Sequence, residues 1–181
     1  MVRGRRVHRR AYYLLVLLCG AARADKQAGL DGTFAVPFAP WSNATGPAGG
    51  GSLWLRVPVA PLADVTLRVG AMVHGLQPVM GTMAHARLSE IPLLGGARYR
   101  VIDGALRAYF EGEVGLVFRR TDVDVGAMSD STAPIRLASS LGVALEYDRF
   151  ILRADVWLAD LSDLDHAIGM TVSLGARVIT W

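Results

Sequence analysis

The chain has 181 residues, of which 52% are hydrophobic and 19% are charged, so it is sized for one domain and too apolar for a disordered protein. Its formal net charge of +3 arises from 19 basic and 16 acidic residues, but six arginines and no acids lie within residues 1–24. The remainder carries 13 basic and 16 acidic residues, a net charge of −3, and gives no support to nucleic-acid binding. The single cysteine excludes an internal disulfide, and without an apolar run of 18 residues no transmembrane helix is predicted.

The first 24 residues have the layout of a secretory signal peptide. Residues 1–10 carry five arginines, residues 11–22 are apolar, and Ala22-Arg23-Ala24 fits the small-x-small pattern of a cleavage site. We therefore expect residues 1–24 to be removed on export and residues 25–181 to form the folded domain. A short N-terminal anchor is the alternative, but the apolar stretch is short for a membrane span.

From residue 33 onwards, apolar and polar side chains alternate with a period of two, which is the pattern of β-strands. In residues 105–119, the even positions carry no charge, whereas the odd positions include Arg107, Glu111, Glu113 and Arg119. The segment 33–41 shows the pattern least well, because it contains two prolines that cannot donate to a ladder. About eight strands are predicted, at 33–41, 53–59, 65–73, 90–102, 105–119, 135–147, 150–158 and 168–178.

Long and short connections alternate strictly between these segments. The short ones are 60–63, 103–104 and 148–149, and Asp103-Gly104 suits a two-residue type I′ hairpin turn. The long ones are 42–51, 75–89, 120–134 and 159–166, and Gly49-Gly50-Gly51 is interpreted as a flexible loop end. Such an arrangement predicts an all-β fold, an antiparallel up-and-down transmembrane β-barrel with its turns at one rim and its loops at the other.

The composition of the two faces predicts that the apolar face points outward. The apolar parity of the clearest strands carries no charge, and charge is costly on a lipid face. The polar parity combines small residues with arginines, although Lys26 is the only lysine after residue 24. Arginine pairs with carboxylates bidentately, which suits an enclosed interior. The predicted interior ion-pair network consists of Arg68, Arg98, Arg107, Glu111, Glu113, Arg136, Glu146, Arg153 and Asp155.

Aromatic residues gather toward the ends of the predicted strands, as in the interfacial girdles of membrane proteins. The residues concerned are Trp54, Tyr99, Phe110, Phe118, Tyr147, Phe150, Trp157 and Trp181. A soluble barrel with its apolar side inward, as in lipocalins, remains the alternative for the facing.

Several segments carry a resemblance to the small eight-stranded outer-membrane β-barrels of Gram-negative bacteria, the OmpA/OmpX type. They are residues 90–101, residues 109–118, residues 141–147 and the final residues 173–181, within a resemblance that covers about 31–181. The resemblance implies location in the bacterial outer membrane, with outer-membrane lipid and the barrel-assembly machinery as partners. It also implies that Trp181 is the assembly signal. Because Trp181 shares parity with Arg177, a bulge or a register change near Arg177 is needed to turn it outward.

Metal chemistry has weaker support in the sequence. His74, His85 and His166 lack the spacing of a zinc site. Met80, Met83 and His85 offer soft ligands to Cu(I), and Asp160, Asp163 and Asp165 offer carboxylates to Ca²⁺ without an EF-hand pattern. We expect no metal and no cofactor.

Four functions follow from these patterns. The first is a structural or interaction barrel with a closed, ion-paired interior, exposed long loops and an extracellular partner that the sequence does not identify. The second is a small solute pore, and the third is a lipid hydrolase using Ser89 and Glu90 with His74 or His85. The fourth is a soluble periplasmic barrel that binds an apolar ligand. We expect the first, and no enzyme activity.

Overall fold

The computed structural model describes residues 25–43, 45–75, 77–78, 85–125, 128–164 and 167–181. Within these residues the chain forms ten β-strands and one short 3-10 helix, Trp41–Asn43. The strands are β1 (Gln27–Pro37), β2 (Ala48–Ala60), β3 (Ala63–His74), β4 (Gln77–Pro78), β5 (His85–Ile102), β6 (Leu106–Val125), β7 (Met128–Thr132), β8 (Ile135–Tyr147), β9 (Phe150–Leu158) and β10 (Ile168–Thr180).

Eight of these strands form a closed antiparallel barrel. Consecutive long strands pair in the order β1-β2-β3-β5-β6-β8-β9-β10, and β10 pairs back to β1 to complete the ring. The two short strands lie beyond the ring at the rim that carries the long connections, where β4 pairs with β5 and β7 with β6. The prediction of an eight-stranded up-and-down barrel is confirmed. We call the two ends the turn side and the loop side.

The apolar parity faces outward, as predicted. Leu53, Leu141 and Leu174 are each more than 60% exposed, whereas Arg56 and Glu146 on the opposite parity are 1% exposed. A soluble barrel has the reverse arrangement, with its apolar side chains inside, so that alternative is wrong for this chain. Six of the eight predicted girdle aromatics are exposed, but Trp54 and Trp157 lie on the charged parity and are buried in the lumen.

The first strand and the first loop lie earlier in the chain than predicted. β1 runs over Gln27–Pro37 rather than 33–41, because Gly29 and Asp31 occupy inward positions that an apolar pattern does not reveal. Residues 49–51 are part of β2 and not a flexible loop end. Gly49 pairs with Phe34 of β1 and Val73 of β3, so strand pairing on both sides fixes this glycine run.

Two predicted connections also differ. Much of the predicted loop 120–134 is a hairpin in which β6 continues to Val125 and β7 returns along it. The β-branched alternation through Thr121, Val123 and Val125 favours this extension. The turn between β5 and β6 spans three residues, 103–105, with a register shift between Arg100 and Ile102, so the two-residue type I′ turn is wrong.

A bulge resolves the parity of Trp181. Ala28 pairs with Ile179 but Gly29 pairs with Arg177, so β10 carries one extra residue, Val178, at this point. The extra residue reverses the alternation, as a β-bulge does. Arg177 precedes the extra residue and keeps the inward parity of Ser173 and Gly175, whereas Trp181 follows it and is 55% exposed.

Glycines on the inner face leave room for charged side chains of the neighbouring strand. A Cβ on Gly175 would lie 1.8 Å from Oδ1 of Asp31, and one on Gly142 would lie 2.4 Å from Oδ1 of Asp155. The lumen of an eight-stranded barrel is only wide enough for its own side chains. The glycines thus position the carboxylates on which the interior depends.

Several sequence predictions lie outside the described residues. These are the signal peptide at 1–24 and the candidate ligands Met80, Met83, Asp165 and His166, together with the side chain of His85. In the part of the chain that is described, no helix combines the length and the apolar character needed to traverse a membrane.

Candidate functional site: the luminal ion-pair network

The lumen is filled by arginines and carboxylates in equal number. Among the described residues, six arginines and six carboxylates make ion pairs inside the barrel between the turn side and its middle. They are Arg56, Arg68, Arg98, Arg107, Arg153 and Arg177, with Asp31, Asp64, Glu111, Glu113, Glu146 and Asp155. Strand alternation directs each of them inward, and the equal numbers leave this set with no net charge.

The turn-side cluster is centred on Glu146 of β8. Its carboxylate lies 3.4 Å from Arg56, 3.2 Å from Arg98, 3.6 Å from Arg107 and 3.4 Å from Arg177. Four arginines around one buried carboxylate require further acids nearby, because like charges repel strongly where water is excluded.

Two other acids supply that compensation. Asp64 pairs with Nε of Arg98, and Glu111 lies 3.7 Å from Arg56 and 2.8 Å from Arg153. Arg153 also binds Asp31 at 2.6 Å, which ties β9 to β1. The turn-side cluster therefore joins β1, β2, β3, β5, β6, β8, β9 and β10, every strand of the barrel.

Aromatic rings complete the packing of this cluster. The guanidinium of Arg56 lies 4.0 Å from the ring centre of Trp54, and that of Arg98 lies 3.9 Å from the ring centre of Tyr109. The indole of Trp54 donates to Asp31 at 2.9 Å. These cation–π contacts are strengthened where the cation is desolvated, so the two luminal aromatics hold the arginines in place.

A central triad of Arg68, Glu113 and Asp155 lies next toward the loop side. Arg68 pairs with Glu113 and lies 3.8 Å from Asp155. Glu113 also accepts a hydrogen bond from the hydroxyl of Thr66 at 3.1 Å. The triad crosses the lumen, because its members stand on β3, β6 and β9.

A loop-side cluster closes the other end. Glu90 lies 3.1 Å from Nε of Arg119 and 3.5 Å from Nε2 of His74. Nδ1 of His74 is 2.9 Å from the carbonyl oxygen of Gly46, and its ring packs against Trp41 with 5.5 Å between centres. Gly46 and Trp41 belong to the connection between β1 and β2, so this cluster holds that connection over the lumen.

The structure brings seven of the nine predicted network residues into the turn-side cluster and the central triad as buried groups. Arg107 joins the turn-side cluster with its side chain 37% exposed, and Arg136 lies outside both. Arg136 is 3.3 Å from Asp160 at the loop side, with its side chain 45% exposed. Although burial opposes it, hydrogen bonds from Ser162 and the guanidinium of Arg136 hold the pKa of Asp160 below its ordinary value.

Sequence reasoning missed several members of the site. Arg56 and Arg119 stood on the polar parity of predicted strands, so their parity could have identified them. Asp64 directly precedes a predicted strand, and Asp31 lies before the segment chosen for the first strand. Arg177 stood on the polar parity of the last predicted strand, with Ser173 and Gly175, so its parity could also have identified it.

The geometry of the described residues does not support a hydrolase site at His74 or a calcium site at Asp160. Glu90 points into the lumen, and its neighbour Ser89 therefore points to the outer face, so Ser89, Glu90 and His74 do not form a catalytic triad. Asp160 is occupied by Arg136 and by the backbone N–H of Ser162. Within the described ranges, no three histidine, cysteine or acidic side chains are grouped so as to hold a metal ion.

Solved structures with the same architecture include a bacterial outer-membrane protein. The attachment invasion locus protein Ail of Yersinia pestis matches with a TM-score of 0.60 and 14% identity over 85% of this chain and 97% of that one. Ail in complex with the heparin analogue sucrose octasulfate matches with a TM-score of 0.57, at the same identity and coverage. Neisserial surface protein A matches with a TM-score of 0.48 and 16% identity over 85% of this chain and 95% of that one.

No protein-family model matches the chain, and no curated protein matches it significantly. At 14% identity the structural likeness shows the fold alone. The chain thus has the fold of the small eight-stranded transmembrane barrels, as the resemblance in its sequence implied.

Proposed function

We propose that the protein is an integral β-barrel of the bacterial outer membrane with a structural or interaction role, whose lumen is closed. The observation that carries this proposal is the luminal ion-pair network, in which the turn-side cluster, the central triad and the loop-side cluster follow one another along the barrel axis. The exposed apolar parity and the shared fold support the membrane location.

The burial and pairing of the luminal charges favour a closed barrel over a pore. Interiors that conduct are polar and filled with water. Here Arg56, Glu111, Glu146 and Arg153 are at most 5% exposed, and each is bound to an oppositely charged partner. Charges without access to water are tolerable only when they are paired. The pairing of all four of these charges therefore favours a lumen without bulk water.

An interaction role would fall to the loop side. The extension formed by β5, β6 and β7 projects beyond the ring, and Asp130, Ser131 and Thr132 on it are exposed. The similar protein Ail is described as an attachment invasion locus protein. We propose contact with an extracellular partner as the corresponding role for this extension, with membrane lipid and the barrel-assembly machinery as the other partners.

Conductance of the refolded barrel in a planar bilayer tests the closed lumen. We expect no current above that of the protein-free bilayer, with a porin added to the same bilayer as the positive control. Insertion is verified by the gel shift between folded and heated protein. Stable conductance steps that scale with salt concentration would overturn the closed lumen and favour the solute pore.

Cell fractionation tests the location. We expect recovery in the outer-membrane fraction and extraction only by detergent. Recovery in the soluble periplasm without detergent would contradict the membrane assignment.

A further inference from the structure

Between the central triad and the loop-side cluster lies a small cavity in the lumen. Its volume is about 30 Å³, and residues of β1, β2, β3, β5, β9 and β10 line it. Met72, Pro92, Leu94 and the ring of Trp157 supply apolar walls, whereas the rest of the lining consists of hydroxyl residues, Arg68 and glycine. One buried water needs about 10–15 Å³ of such space, so the cavity suits about two water molecules.

Two donors in the cavity lining lack an acceptor within the described part of the chain. Nε1 of Trp157 and Nε of Arg68 are buried, and neither has a hydrogen-bond partner among the described residues. Trp157 is 3% exposed and Arg68 is 8% exposed. An indole N–H can only donate, and a buried donor without a hydrogen-bond partner is destabilising, so both groups call for an acceptor inside the cavity.

The hydroxyls of the lining offer the complementary groups. Ser52 donates to Asp31 at 3.4 Å, and Thr171 donates to Asp155 at 3.5 Å. With their hydrogens committed to carboxylates, these oxygens present lone pairs to the cavity. An anion would face those lone pairs, whereas water can accept from Trp157 and donate to the hydroxyls.

The ladder between β3 and β5 is interrupted at the same place. In this ladder the pair of Val69 with Leu93 is followed by the pair of Met72 with Glu90. The two positions between them on each strand are not paired. Pro92, which lines the cavity, has no N–H to contribute to the ladder. Buried water commonly satisfies backbone groups that a ladder leaves without a partner.

From these four observations we infer that the cavity is a binding site for about two ordered waters, hydrogen-bonded to Trp157 and Arg68. The site does not depend on the role proposed for the barrel. It makes the middle of the lumen hydrated, although charged clusters enclose it on both sides.

The two luminal tryptophans provide a matched comparison within one molecule. The indole of Trp54 donates to Asp31 and so has no need of water. In barrel labelled with ¹⁵N-tryptophan and refolded in nanodiscs, we expect a dipolar cross-peak between water and the Trp157 indole proton and none for Trp54. Trp157→Phe assigns the signal by removing it.

A sodium bromide titration at constant ionic strength then separates water from an anion. We expect bromide to change the chemical shift of the Trp157 indole proton no more than it changes that of the Trp54 indole proton. A saturable shift confined to Trp157 would overturn the inference in favour of an anion site. If the folded barrel shows no water cross-peak at either indole, the inference is overturned and the cavity is dry.

Discussion

At the scale of single residues, the interior depends on charges that cannot reach bulk solvent. Glu146 contacts four arginines, and its side chain is 1% exposed. Removing one member of a buried pair is far more harmful than replacing the whole pair by apolar groups, because the remaining charge is left uncompensated. Individual carboxylates should therefore control the stability of the barrel.

Glu146→Gln tests this dependence with little change in volume. We expect the free energy of unfolding to fall by about 3–5 kcal/mol, because four arginines lose their shared counter-charge. Asp130→Asn on β7 is the control, since Asp130 is exposed. Urea unfolding in liposomes, followed by the gel shift, measures both variants, and equal midpoints would show that water reaches Glu146.

Gly175→Ala tests the fit between glycine and carboxylate. The new Cβ would collide with Asp31, so we expect a loss of about 1–3 kcal/mol, the usual range for overpacking. Gly32→Ala on the paired strand is the control, because its Cβ would meet no atom closer than 3.9 Å. The same urea assay decides, and a Gly175→Ala barrel as stable as the Gly32→Ala barrel would contradict the fit.

At the scale of elements, each strand presents one face to lipid and one to the lumen. Leu116 and Val143 lie on the outer face of β6 and β8 and are 42% and 45% exposed. A cation there would enter hydrocarbon, whereas one on the projecting hairpin would enter water. The position along the strand thus decides the effect of a charge.

Leu116→Arg should destabilise the barrel by about 2–4 kcal/mol, the cost of a cation near the middle of a lipid-facing strand. Val143→Arg serves as a repeat, and Thr132→Arg on exposed β7 as the control with an expected effect near zero. Folding yield and urea midpoint in liposomes are the measurements. Insertion of Leu116→Arg as efficient as that of the unmodified protein would mean that the outer face is not lipid-exposed.

The connection between β1 and β2 should loosen when His74 is replaced. His74→Phe keeps a ring against Trp41 but removes the hydrogen bond to Gly46, worth about 1 kcal/mol. We expect hydrogen exchange of the Thr45 amide, which bonds to Trp41, to quicken about fivefold. The Leu161 amide in the β9–β10 connection is the control, and equal acceleration there would indicate general destabilisation instead.

At the scale of the whole molecule, the alternation of side chains was enough to predict the barrel, its strand number and its facing. The period of two and the charge-free parity are local properties, so they can be recognised within a single segment of the sequence. The start of β1 was mispredicted because the roles of its inward residues depend on other strands. Gly29 leaves room for Trp54, and Asp31 pairs with Arg153. The contacts within the luminal clusters likewise depend on register, and the bulge at Val178 shows that one extra residue reverses the facing of the residues after it, here Trp181.

The pairing of β1 with β10 also bears on the order in which the protein can fold. Thr33 and Ser173, whose hydroxyls are 2.9 Å apart across this seam, are 140 positions apart in the chain. Contacts between such distant segments form late, because a long loop must close before they add stability. Until β10 arrives, β1 has a free edge and the pair of Arg153 with Asp31 lacks its enclosing wall. Assembly should therefore end in a single cooperative closure, and an intermediate stalled before it would expose an edge able to pair with a second chain.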